Sequence, residues 1–174
     1  MQKYSSTTKD IALCALLSAV GIVARVVTGN GTPIVTTTAI IILCAAHFGL
    51  LQALAVDFVT VMVSSVMLGF GIWVPFQLAG WGIVAMLAWL LFRRHSQNGD
   101  IIYLLCLIGF AIFAGYIYGA FLDIYGFRAL TAAGSEDMTY KVYWMASLPM
   151  TTMHALSNAV FCWFLTPLFR KLKP

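Results

Sequence analysis

Charge is what this sequence has least of. Asp, Glu, Lys and Arg make up 9% of its 174 residues, against roughly a quarter in a typical globular protein. So few charges cannot cover a water-facing surface, which excludes a soluble enzyme, and a chain that is 61% hydrophobic is no disordered tail either. Cysteine is sparse and scattered: Cys14, Cys44, Cys106 and Cys162 stand singly in apolar stretches. Without CxxC pairs or His and acidic neighbours at ligand spacing, they read as small packing residues, with no metal and no disulfide. There is no Walker-type glycine loop and no HExxH protease pattern, and no repeated half of the kind that builds self-sufficient carriers. The N-terminal MQKYSSTTKD lacks the small-residue cleavage pattern of a removable signal peptide, so the first apolar run is expected to stay in the protein.

What the sequence has in abundance is long apolar runs. At about 20 apolar residues per span, they predict an all-α, polytopic membrane protein, a six-transmembrane-helix bundle occupying residues 1–174 as one integral membrane domain. The helices are expected at about 11–27, 36–48, 50–67, 73–92, 101–127 and 142–169. The second and third are divided only by the His47-Phe48-Gly49 corner, but a single helix from Val35 to Met67 would be about 50 Å long, too long for one crossing. Lys3, Lys9, Arg93, Arg94, Arg170, Lys171 and Lys173 fall on one face of such a bundle. On the other, Arg128 and Lys141 are offset by Glu136 and Asp137. The positive-inside rule then puts the N and C termini in the cytoplasm, and the net charge of +4 calls for no nucleic acid.

Ionisable groups inside a bilayer are costly and each asks for a reason. Here they are Arg25, Asp57 and Asp123, with His154. Arg25 and Asp123 fall toward the outer surface and Asp57 near mid-membrane. Helical spacing extends the set. Ser147, Thr151, His154 and Asn158 share one stripe of the sixth helix, Asp57, Thr60 and Ser64 one of the third, and Trp73, Gln77 and Trp81 one of the fourth; Tyr116 and Asp123 are seven apart on the fifth. Aromatic faces with a few hydrogen-bonding groups are the composition of a pocket for a flat, heteroatom-bearing small molecule. A plainer reading stands beside it: the hydroxyls as interhelical glue, Trp73 as an interfacial anchor, Asp57 as a satisfied structural carboxylate, and Arg25 with Asp123 as a pair closing the outer end.

The first helix carries Ala12-Leu-Cys-Ala15-Leu-Leu-Ser-Ala19, a small-residue stripe that lets another helix approach closely. With this stripe, the length, the Gly-Ile-Trp-Val-Pro-Phe-Gln-Leu-Ala-Gly-Trp-Gly opening of the fourth helix and the His154-xxx-Asn158 pattern of the sixth, the chain resembles a substrate-binding S component of an energy-coupling factor (ECF) transporter. The resemblance implies a non-enzymatic subunit of a bacterial or archaeal cell membrane that binds a vitamin or related micronutrient near the outer surface. It further implies a transmembrane coupling subunit, docked through Ala12, Ala15 and Ala19, and two cytoplasmic ATPase subunits that hydrolyse ATP, so that this chain itself binds no cofactor. The polar and aromatic stripes give the candidate substrate-binding set as Arg25, Asp57, Trp73, Gln77, Trp81, Tyr116, Asp123, His154 and Asn158. Members bind riboflavin, thiamin, biotin, folate, pantothenate or cobalamin; the Trp/Gln and His/Asn patterns lean toward cobalamin or a precursor, and Asp57 and Asp123 without an intramembrane lysine disfavour a polyanion such as folate. The contrasting classes are a membrane enzyme, with His154 and Asp57 acting as base and partner on a lipid-borne substrate, and a structural or assembly subunit.

Overall fold

The computed structural model describes residues 2–29, 32, 34, 36–94, 101–134 and 138–172, with side chains from Thr8 onward. Lys173, Glu136, Asp137, the polar run His95 to Asp100, Asn30, Gly31, Pro33 and the Lys3 side chain lie outside this set. The described residues form six helices: α1 (Gln2–Thr28), α2 (Thr37–His47), α3 (Leu50–Leu68), α4 (Trp73–Phe92), α5 (Ile101–Ala132) and α6 (Tyr140–Leu172). Stretches of α1, α3, α4 and α5 are long and apolar enough to cross a membrane. α2 has only 11 residues, and α6, though 33 long, is diluted by its polar stripe and by Pro149 and Pro167.

Three helices outrun their expected limits. α1 begins at Gln2, and α6 covers Tyr140–Leu172. α5 continues through Arg128 into the stretch expected to be loop, because Arg128-Ala-Leu-Thr-Ala holds no breaker, and the chain turns only at Gly134, φ +101°. The α2–α3 corner turns on Gly49, whose φ of +124° is closed to side-chain-bearing residues.

α2 is the centre of the molecule. All eleven of its residues are buried, and it packs against each of the other five helices. At 1.5 Å per residue it is about 16 Å long, roughly half the ~30 Å hydrocarbon thickness. One end of the bundle is therefore filled by α2 and the other is not. The filled end is closed by aromatic rings, with Phe48 and Phe169 5.8 Å apart and Phe92 edge-on to Tyr103 at 5.7 Å and to Phe110 at 5.6 Å. The basic residues gather there: Arg93 lies over Trp89, Arg170 over Tyr103, and Lys9 shares a groove with Leu172.

α5 and α6 approach most closely through glycine. A Cβ at Gly115 would stand 2.6 Å from the Ala155 Cα, and one at Gly119 would stand 2.6 Å from the Thr151 methyl. A Gly-xxx-Gly face of this kind lets helices meet at backbone distance.

Candidate functional site

At the end α2 leaves unfilled, the bundle encloses a cavity of 290 Å³. Five segments line it: Arg25 and Thr28 in the last turns of α1, Gly29 and Thr32 beyond it, Gln77 and Trp81 on α4, Gly115, Tyr118, Gly119, Leu122 and Asp123 on α5, and Tyr143, Ser147, Met150, Thr151 and His154 on α6. These turns of α1, α4, α5 and α6 lie at the opposite end of the bundle from Lys9, Arg93 and Arg170.

One wall is a set of linked rings. Trp81 and Tyr118 stack at 4.6 Å with 10° between their planes, and His154 lies 5.4 Å beyond Tyr118 at 30°. Offset stacking of this kind suits the ring quadrupoles. Gly80 makes room for it, since a Cβ there would come to 3.1 Å from the Tyr118 ring. Beside the rings stands Arg25, 5% exposed, its Cζ 5.0 Å from the Trp81 centroid and its Nη2 donating to Gln77 Oε1 at 2.9 Å. Arg25 Nη1 is buried and makes no hydrogen bond among the described residues. A guanidinium held against an aromatic face with one nitrogen unused is a strong donor waiting for an acceptor. Elsewhere on the lining, Asp123 accepts from Ser147 Oγ at 2.6 Å. The cavity thus presents a cation, a set of rings, hydroxyls and a carboxylate.

Of the nine residues expected at the site, Arg25, Gln77, Trp81, Asp123 and His154 line this cavity, and the other four stand apart from its lining. Asp57 is 3% exposed on α3, within electrostatic reach of Arg25, and its Oδ1 has no hydrogen-bond partner among the described residues. Trp73 covers Gly71 at the entry to α4 and packs against the core. Tyr116 is 37% exposed and shares a hydrogen bond with Thr152, 3.1 Å away. Asn158 continues the α6 stripe one turn below His154, where its Nδ2 makes a long 3.5 Å contact to the Ala111 carbonyl. Arg25 and Asp123 share the cavity, but the polar partner of Arg25 is Gln77 and that of Asp123 is Ser147.

Tyr118 and the glycine face went unread in the sequence. At 100° per residue, Asp123 lies roughly 80° from Gly115 around α5, Tyr116 roughly 100° and Tyr118 roughly 60° to the other side. Heptad spacing turns Tyr116 and Asp123 in nearly one direction, yet Asp123 is already at the edge of the cavity stripe. The Gly115-xxx-Gly119 pair was the available signal for its centre. Thr38, directly behind the rings, had no signal in a helix apolar on every side.

The stripe of α1 is open: Ala12, Ala15 and Ala19 are all exposed. Ala15 borders a shallow apolar groove between α1 and α3 that also takes in Cys14, Ser18 and Ala55.

Comparison with known families matches residues 5–171 to the ECF-type riboflavin transporter, S component. The chain belongs to this family. It is a substrate-binding subunit of an ECF importer, a transport component and not an enzyme family, whose members work with ECF membrane and ATPase subunits. Comparison with curated proteins and with solved structures gave no match. The lean toward cobalamin has no support, because the family of this S component is named for riboflavin. A Trp/Gln face and a His/Asn pair report only rings and hydrogen bonds, which many vitamins share.

Proposed function

We propose that this S component captures riboflavin from outside the cell, in the cavity between the outer turns of α1, α4, α5 and α6. The observation that carries the proposal is Arg25, buried beside the stacked Trp81 and Tyr118 rings with its Nη1 unused. A flat tricyclic ring bearing carbonyl oxygens at one edge supplies the acceptor that this guanidinium lacks and an extended π-face for the ring wall. The polyhydroxyl chain of the vitamin then meets Asp123, Ser147 and Thr151, which are hydrogen-bonding partners for alcohols. The binding residues in this reading are Arg25, Gln77, Trp81, Asp123 and His154, with Tyr118, Ser147 and Thr151 added. Asp57, Trp73, Tyr116 and Asn158 support the bundle around them.

The outward orientation follows from the placement of Lys9, Arg93, Arg94, Arg170 and Lys171 at the far end, by the positive-inside rule. With that end in the cytoplasm, both termini are cytoplasmic and the chain passes the membrane six times. The exposed Ala12, Ala15 and Ala19 are the docking stripe for the coupling subunit, and ATP is spent by the ATPase subunits. The test is titration of riboflavin into the purified protein in detergent, followed by flavin fluorescence. Saturable quenching at one vitamin per chain is expected, with excess thiamin or biotin failing to compete. No quenching by riboflavin, or retention of a different small molecule on mass spectrometry, would refute the assignment.

A further inference from the structure

Thr38 is the second residue of α2, wholly buried behind the ring wall. Its Oγ1 lies 2.9 Å from Trp81 Nε1 and 3.2 Å from His154 Nε2. An indole N–H can only donate, so the Thr38 oxygen accepts from Trp81. The hydroxyl then has one hydrogen to place. Within a helix such a hydrogen commonly goes to the carbonyl four residues back, as it does for Ser64 and Thr166. Thr38 stands in the first turn, where the residue four back precedes the helix, and among the described residues it makes no such bond. Among the described residues, the acceptor in reach is His154 Nε2. An imidazole that accepts at Nε2 is neutral and carries its proton on Nδ1.

We infer that Thr38 is the positioning residue of the ring wall: its single hydroxyl orients Trp81 from α4 and His154 from α6 together, and holds His154 as the Nδ1–H tautomer. Both rings are thereby tied to the central helix, so the wall is built before a ligand arrives, and a preformed wall spares the ligand the cost of ordering it. The effect on affinity rests on the riboflavin reading; the tautomer does not.

Thr38→Val keeps the shape and deletes the hydroxyl, whereas Thr38→Ser keeps the hydroxyl and deletes a methyl. In ligand-free protein labelled with 15N-histidine, with the His154 resonances assigned from their loss in His154→Gln, wild type and Thr38→Ser should show an unprotonated Nε2 and a protonated Nδ1. Thr38→Val should lose that single form. Riboflavin affinity should fall roughly tenfold in Thr38→Val, the scale of one lost buried hydrogen bond, and stay within about threefold of wild type in Thr38→Ser. A protonated Nε2 in wild type, a Thr38→Val spectrum identical to wild type, or Thr38→Ser binding as weakly as Thr38→Val would overturn the assignment. If wild type binds no riboflavin, the vitamin reading falls by itself and the ligand-free spectra still decide the role of Thr38.

Discussion

Replacing Gly115 by alanine tests the contact that shapes the cavity. A methyl there would stand 2.6 Å from Ala155 Cα, 2.8 Å from its Cβ and 3.0 Å from its nitrogen. Carbon atoms in contact sit ~3.5–4.0 Å apart, so α5 and α6 must separate by roughly 1 Å. No side-chain rotation relieves the clash, because the atoms met are backbone and Cβ. Overpacking of this kind costs ~1–3 kcal/mol. Gly109, on the same helix, supplies the control, since a Cβ there meets nothing within 4 Å. Both substitutions gain the same helix propensity, about 1 kcal/mol, and the difference between them isolates the clash. Gly115→Ala is expected to be less stable than Gly109→Ala by ~1–3 kcal/mol in denaturant unfolding in detergent. It should also bind riboflavin more weakly, because Thr151 and His154 move with α6. Equal stability and equal affinity in the two variants would show that the seam yields freely and that glycine does not set the width of the cavity.

Arg25→Met keeps length and removes the charge; affinity should drop about 10- to 100-fold in the same fluorescence titration, the scale of a charged hydrogen bond, and undiminished binding would take the guanidinium out of the site. Tyr116→Phe touches only the outward bond to Thr152, so affinity should stay within about twofold; a larger loss would mean that Tyr116 turns inward to the ligand. Asn158→Ala should lower stability by ~1 kcal/mol without changing affinity, and a selective loss of binding would return Asn158 to the ligand. Ala15→Trp or Ala19→Trp should abolish uptake in cells that carry the partner subunits while purified protein binds normally, since bulk on an exposed stripe blocks only helix approach; lost binding would count against the docking role.

How far the site could be read in advance varied from helix to helix. On α6 the steps from Ser147 through Thr151 to His154 marked the cavity face, because polar groups stand out against an apolar background. The same steps continued to Asn158, which packs below the floor, since periodicity reports the direction of a side chain and not its depth. On α5 the apolar residues run all round the helix, so no stripe marks an inner face, and spacing points to Tyr116 although Tyr118 lines the cavity. Asp57 was visible as a costly group, yet nothing local says whether such a carboxylate meets a ligand or, as here, stands behind Arg25.

The sequence by itself determined the membrane setting, the six helices and the separation of basic residues from the intramembrane Arg25 and Asp123. Lipid makes each of these a local matter: every charge placed in hydrocarbon is costly wherever the rest of the chain lies, and Gly49 turns a corner whatever surrounds it. Only the tertiary structure decided that α2 fills one half of the bundle and leaves the other hollow, and that Arg25, Trp81, Tyr118 and His154 meet around the hollow. Those outcomes depend on how closely α5 can approach α6 at Gly115 and Gly119 and on where an 11-residue helix comes to rest among five others, distances that no single segment carries.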